Sequence, residues 1–199
     1  MDISNTLIIF IVSNINTNNM KTLVIHPKDE TTTFLDSIYK GIENKTVVQE
    51  GCTPEEIIEL IKTHDRVIML GHGTPRGLLS MGRFPNCGHV INKNMVKELS
   101  KKTDNVYIWC HADEFVKEHK LKGFYSGMFV SEVDEAFYER INDATQKVVT
   151  ESNNEFGRIL GEVINEKTVD IFDYVTSVYG EMAESNKVAR YNHKRLYMS

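Results

Sequence analysis

Cys110 and His72 are the residues best equipped for chemistry in this chain. A cysteine is a useful nucleophile only as thiolate, and a nearby imidazole can take its proton and hold the anion as an ion pair. Cys110 follows the apolar run Val106-Tyr107-Ile108-Trp109, and His72 follows Arg66 to Leu70 after a single glycine. Each therefore reads as a residue at the mouth of a buried strand. In neighbouring strands, about 4.8 Å apart, the two side chains approach across the strand tips as general base and nucleophile, and the Cys110 pKa is expected to be lowered. Taken singly, each residue has a plainer reading. Free cysteine often only packs, and a Gly-His-Gly turn can serve geometry alone.

The surrounding residues extend the pattern. Gly71 and Gly73 let the backbone turn sharply beside the imidazole. The backbone N–H groups of Gly73 and Cys110 are candidate oxyanion donors, each of a kind worth about 3 kcal/mol in a transition state. Asp113 is a candidate pocket residue for a basic substrate side chain. Asp113 and Glu114 also read as first-turn charges on a helix carrying Phe115 and Val116, where the helix dipole favours them. His111 is a second imidazole, directed away from Cys110 if strand geometry continues. Zinc is the competing chemistry, because Cys87 and His89 join His72, Cys110 and His111 as potential donors. No pair has Cys-x2-Cys or His-x3-His spacing, and there is no glycine-rich phosphate motif, so neither a metal nor a cofactor is expected.

The elements that must position these residues alternate. Thr22 to His26 reads as a strand ended by Pro27, and Thr46 to Val48 as a second. Between them Phe34, Leu35, Ile38, Tyr39 and Ile42 share one helical face. Thr53, Pro54 and Glu56 carry the start signals of a helix: an N-cap, a first-turn proline and a capping-box glutamate. Arg66 to Leu70 is the third strand. A Gly- and Pro-rich loop from Thr74 to Gly88, with Leu78-Leu79 in a small hairpin, leads to a helix after Asn92 marked by Met95, Val96 and Leu99. Asn105 to Trp109 is the fourth strand and Phe124 to Val130, through Gly127, the fifth. Ser131 is expected to cap a helix carrying Val133, Ala136, Phe137 and Ile141. The remainder has helical periodicity. This order predicts an α/β fold: a mostly parallel sheet with helices on both faces, a three-layer sandwich with a helical C-terminal extension. Such sheets place ligands at the carboxyl ends of their strands, where His72 and Cys110 fall. One domain is expected over 20–199, its core at about 21–142 and its helical part at 143–199.

The segments Val67-Ile-Met-Leu-Gly-His-Gly73 and Val106-Tyr-Ile-Trp-Cys110 resemble the caspase-like cysteine peptidases, the group of caspases, metacaspases, gingipains, clostripain, legumains, separases and CHAT peptidases. Their signature is an apolar strand ending in His-Gly, then an apolar strand ending in the nucleophilic Cys. By position the resemblance implies His72 as general base, Cys110 as nucleophile and a caspase-like fold, over roughly Lys21 to Asn142. Leu121 to Ser131 resembles the next strand of CHAT-type members, near the substrate pocket, which adds Ser126 and Gly127 to Asp113 as pocket candidates. The chain departs from the caspase pattern Gln-Ala-Cys-Arg-Gly, having Ile-Trp-Cys-His-Ala at the nucleophile. The implied activity is a cysteine endopeptidase working through an acyl-enzyme on a protein or peptide substrate. The alternative is an inactive module on the same fold, binding a protein or small-molecule partner.

Composition bounds the rest. The 199 residues, 41% hydrophobic and 26% charged, suit one globular domain, and a net charge of -5 argues against nucleic acid or anionic membrane as partner. Three cysteines at irregular spacing form no disulfide framework, which favours a reducing, cytoplasmic setting. No segment approaches the roughly 20 apolar residues of a membrane span. Residues 1–19, with the apolar run Leu7 to Val12 and an Asn-rich stretch, read as a leader or as a start placed too far upstream. Lys187, Arg190, Lys194 and Arg195 form a basic cluster expected to be a solvated tail.

Overall fold

The computed structural model of the protein describes residues 20–199, so the leader expected at 1–19 lies outside the described residues. Strands β1 (Thr22–Ile25), β2 (Lys45–Val48), β3 (Arg66–Leu70), β6 (Asn105–Ile108), β7 (Gly123–Ser126) and β8 (Leu196–Met198) form one sheet in the order β2-β1-β3-β6-β7-β8. The first five run parallel, and β8 closes the edge antiparallel to β7. Two short strands, β4 (Gly73–Thr74) and β5 (Gly77–Leu78), make the small hairpin after His72. Every residue of β1, β3 and β6 is buried, as in a parallel sheet covered on both faces.

The connections begin with a 3-10 turn, Glu30–Leu35, running into the single-turn helix α1 (Asp36–Tyr39). Helix α2 (Pro54–Thr63) starts on the anticipated signals: Thr53 accepts from the Glu56 N–H while the Glu56 carboxylate accepts from the Thr53 N–H. Helix α3 (Val96–Leu99) follows a 3-10 turn capped by Asn92, and α4 (Ala112–Glu118) follows Cys110 directly. Next come α5 (Val133–Tyr138), α6 (Gln146–Val163), α7 (Thr168–Ser185) and α8 (Lys187–His193).

Side chains alternate between two cores, as strand geometry requires. Leu23, Val67, Met69, Tyr107 and Trp109 face Ile57, Ile61, Leu99 and Phe115 of α2, α3 and α4. Val24, Ile68, Leu70 and Val106 face Ile38, Phe156, Ile159, Ile171 and Val175 of α1, α6 and α7. The helices after residue 142 thus supply one of the three layers of an α/β sandwich rather than an appendage. Among the described residues, no helix is long and apolar enough to cross a membrane.

Three local expectations need correction. The fifth strand stops at Ser126 instead of reaching Val130. Beyond it the chain leaves the sheet: the Gly127 N–H donates to Arg195 O at 2.7 Å, and Asn192 takes both backbone groups of Val130, at 2.8 and 2.9 Å. Phe129 thereby turns into the far core against Phe156, ring centres 4.6 Å apart. Second, α5 is capped at Glu132, not Ser131, and its short length leaves Phe137 78% exposed instead of buried. Third, the basic C-terminal cluster is not a solvated tail. Lys187 and Arg190 donate to the carbonyls of Asn142 and Ala183, Arg195 lies 3.5 Å over the Tyr191 ring, and the chain ends in β8.

Candidate functional site

His72 and Cys110 do follow adjacent parallel strands, β3 and β6. The turn bearing His72 is tied to the end of β6 on both sides. The Gly71 N–H donates to Ile108 O at 3.0 Å, and the Trp109 indole N–H donates to Thr74 O at 3.2 Å. Gly73 lies directly on that indole, and a Cβ there would sit 2.0 Å from Trp109 Cδ1. Glycine is demanded at Gly73 by close approach, whatever its N–H does. A narrow cleft of about 10 Å³ is lined by Gly71, His72, Ile108, Trp109, Cys110 and Phe129 among others. That volume is near the lower limit for one water.

The imidazole is oriented by residues that the spacing argument did not find. His72 Nε2 lies 2.6 Å from Thr31 Oγ1, and Thr31 Oγ1 lies 2.5 Å from Asp29 Oδ1, which also accepts the Thr31 N–H at 2.9 Å. The Thr31 hydroxyl bonded to Asp29 holds that carboxyl below the usual range, so at neutral pH Asp29 can only accept. Thr31 has one hydroxyl proton and gives it to Asp29. Its oxygen must then accept from His72, which places the His72 proton on Nε2 and leaves the lone pair on Nδ1. Asp29-x-Thr31 in the turn that follows a strand is the signal that was available, since an Asp accepting from the backbone two residues on is a turn former.

A second imidazole, His26, directly follows β1 in the same row. It is buried, with Nδ1 3.2 Å from Tyr39 Oη and 3.3 Å from Asp36 Oδ1, and Nε2 3.1 Å from Thr32 Oγ1. Burial lowers its pKa despite the opposing pull of Asp36, and nearby His72 lowers it further.

Cys110 departs from the expected thiolate. Its Sγ lies 3.3 Å from Phe129 O, to which the thiol donates, and 3.9 Å from Glu135 Oε1. Burial, and then the Glu135 carboxylate, push the thiol up to about 12, the opposite of the lowered value anticipated. The residue keeps some contact with solvent. Glu135 is itself fixed by the N–H groups of Ser131 and Glu132, at 2.7 and 3.1 Å.

The pocket candidates separate. Asp113 Oδ2 pairs with Lys117 at 2.8 Å, and its Oδ1 faces Gly127, 3.4 Å from where a Cβ would stand. Ser126 is fully buried and donates its hydroxyl to Trp109 O at 3.0 Å, tying β7 to β6. His111 sits in the left-handed region at φ 67° with Nδ1 3.0 Å from Glu114 Oε1, on the exposed side. His89 Nε2 lies 3.0 Å from Thr74 Oγ1. Among the described residues, no three His, Cys, Asp or Glu side chains come together as a metal-binding group. A wider groove of about 490 Å³ adjoins the cleft, sharing Phe34 and Ser131 with it, and carries Glu30, Glu132 and Asp134.

Comparison with known proteins adds a partial likeness. No family model matches the chain, and no solved structure matches it. An ATP-dependent zinc metalloprotease of Arabidopsis thaliana, the chloroplastic FTSH 9, is 36% identical over 83 residues, which is 42% of this chain and 9% of that protein. The stretch similar to this chain is thus a small part of that metalloprotease, and this chain contains no His-Glu-x-x-His.

Proposed function

We propose that the chain is a caspase-like cysteine hydrolase that cleaves peptide bonds, held here in a resting arrangement. The observation that supports it best is the placement of His72 and Cys110 along one cleft at the carboxyl ends of adjacent parallel strands. In this reading His72 Nδ1 takes the Cys110 proton. The thiolate attacks the carbonyl carbon, and the N–H groups of Gly73 and Cys110 hold the oxyanion. Collapse expels the amine, protonated by His72, and water hydrolyses the acyl-enzyme. Turnover requires the Phe129 to Glu135 segment to release the thiol and open the cleft. Glu30, Glu132 and Asp134 in the adjoining groove favour a substrate with basic side chains. Three free cysteines suit a reducing, cytoplasmic setting.

A second reading has its own support: the raised Cys110 thiol and the closed cleft suit a module that binds without catalysis. Limiting iodoacetamide at pH 6, with modified cysteines mapped by mass spectrometry, separates the two. Faster labelling of Cys110 than of Cys52 and Cys87, lost in His72→Ala, supports the hydrolase and licenses a peptide screen with Cys110→Ala as control. Labelling of Cys110 that is absent, or indifferent to His72, leaves the binding module.

A further inference from the structure

The opposite end of β3 holds a buried charge. Arg66 begins the strand and is 1% exposed. Among the described residues, no carboxylate lies within ion-pair distance of its guanidinium. Asp104, the acid whose charge it feels, is engaged by the N–H and hydroxyl of Thr168, each at 3.2 Å. Arginine stays protonated at neutral pH even here, where burial lowers it to about 10. A buried cation without a counter-ion is destabilising unless its donors are satisfied.

One side of the guanidinium is well satisfied and the other only in part. Nη1 donates to Ile164 O at 2.6 Å, at the end of α6 where helix carbonyls are otherwise free. Nη2 reaches Thr22 Oγ1 only at 3.3 Å, and Nε has no partner among the described residues. Nε and Nη2 together form the lateral fork that grips two oxygens of a carboxylate or phosphate. Beside Arg66 lies a recess of about 110 Å³, also lined by Thr22, Gly41, Asn44 and Asn165, with the exposed Glu43 at its rim. Such a volume is well above the roughly 10–15 Å³ that a single water requires, so a group of several heavy atoms can enter.

We propose that this recess binds a small oxyanion, carboxylate- or phosphate-sized, drawn to the uncompensated charge of the Arg66 guanidinium in its wall. Asn44 and Asn165 add polar side chains to the wall. The site stands a strand length, roughly 17 Å, from the His72–Cys110 cleft, and does not depend on that cleft being catalytic.

The test uses the full chain with inorganic phosphate as probe and sodium chloride at equal ionic strength as control, read by thermal unfolding and by backbone amide shifts of residues 41–44 and 165. A ligand that binds the folded state stabilises it by mass action. Phosphate should raise the Tm saturably and move those amides, and sulfate should compete. Acetate run in parallel distinguishes a carboxylate from a phosphate preference. Arg66→Met should abolish the response. Because that variant can fail to fold, Gly41→Leu is the second probe: Gly41 lines the recess and a Cβ there meets nothing within 4 Å, so leucine adds bulk beside the site and leaves the core alone. Its Tm without phosphate should match the parent, and its phosphate affinity should fall at least tenfold. No saturable effect of any of these anions beyond the chloride control, or an equal effect in Gly41→Leu, overturns the proposal.

Discussion

Thr31 and His72 are 41 residues apart in sequence, yet their side chains meet at 2.6 Å. The contact sets a tautomer, because Thr31 already donates to Asp29. Thr31→Ser should keep His72 protonated on Nε2. Thr31→Val, which removes the hydroxyl at similar volume, should let the Nδ1–H form appear. Nitrogen chemical shifts of the His72 ring distinguish the two forms. An Nδ1–H form already dominant in the parent chain would contradict the relay and, with it, the role of Nδ1 as the base for Cys110.

Glu135 beside Cys110 makes a charge prediction. Neutralising it in Glu135→Gln keeps an amide near the Ser131 and Glu132 N–H groups but removes a negative charge 3.9 Å from sulfur. The Cys110 thiol should fall from its raised value, and alkylation at pH 8 should quicken roughly three- to tenfold, since one pKa unit is a tenfold change in thiolate. Unchanged kinetics would mean that burial alone sets the thiol.

His26 should make stability depend on pH. Its folded pKa lies below the ordinary 6.5, so the folded state binds fewer protons than the unfolded chain as pH falls through that value. The stabilisation is present above about 6.5 and is lost on acidification toward the folded pKa. Urea unfolding at pH 7.5 and 5.5 should show a loss for the parent chain that His26→Gln reduces. The Asp29 contribution disappears only at lower pH, below the usual carboxylate range, and does not interfere.

Gly73→Ala should be costly out of proportion to one methyl. The added carbon would stand 2.0 Å from Trp109 Cδ1 and force the hairpin off the strand end. Overpacking of this kind costs about 1–3 kcal/mol, measurable by urea unfolding. Gly88→Ala, where a Cβ meets nothing within 4 Å, is the matched control and should be near neutral.

Much of this architecture was legible because local signals agreed with one another. The capping box at Thr53 and Glu56, the apolar run Val67 to Leu70 and the alternation of elements all pointed to a parallel sheet with His72 and Cys110 at its mouth. Features made by distant partners were not legible. The early end of β7 depends on Asn192 and Arg195, more than 60 residues away, and β8 is three residues long with no periodicity to reveal it. The site was half visible for the same reason. Strand ends announce residue types, but the partners of His72 come from the turn after β1, and those of Cys110 from the loop after β7 and the helix α5 that follows it. Solvation of the thiol is a property of that loop, which spacing alone does not encode.

Trp109 is the chain's single tryptophan, and it lies between the hairpin that follows His72 and the strand that delivers Cys110. It is 1% exposed and flanked by the rings of Tyr107 and Phe115. The protein therefore carries its own optical gauge of the cleft. Any event that lifts the hairpin from β6 must break the indole hydrogen bond to Thr74 and admit water to the ring, shifting its emission to the red. Opening can be followed in real time without a label, a substrate or a substitution.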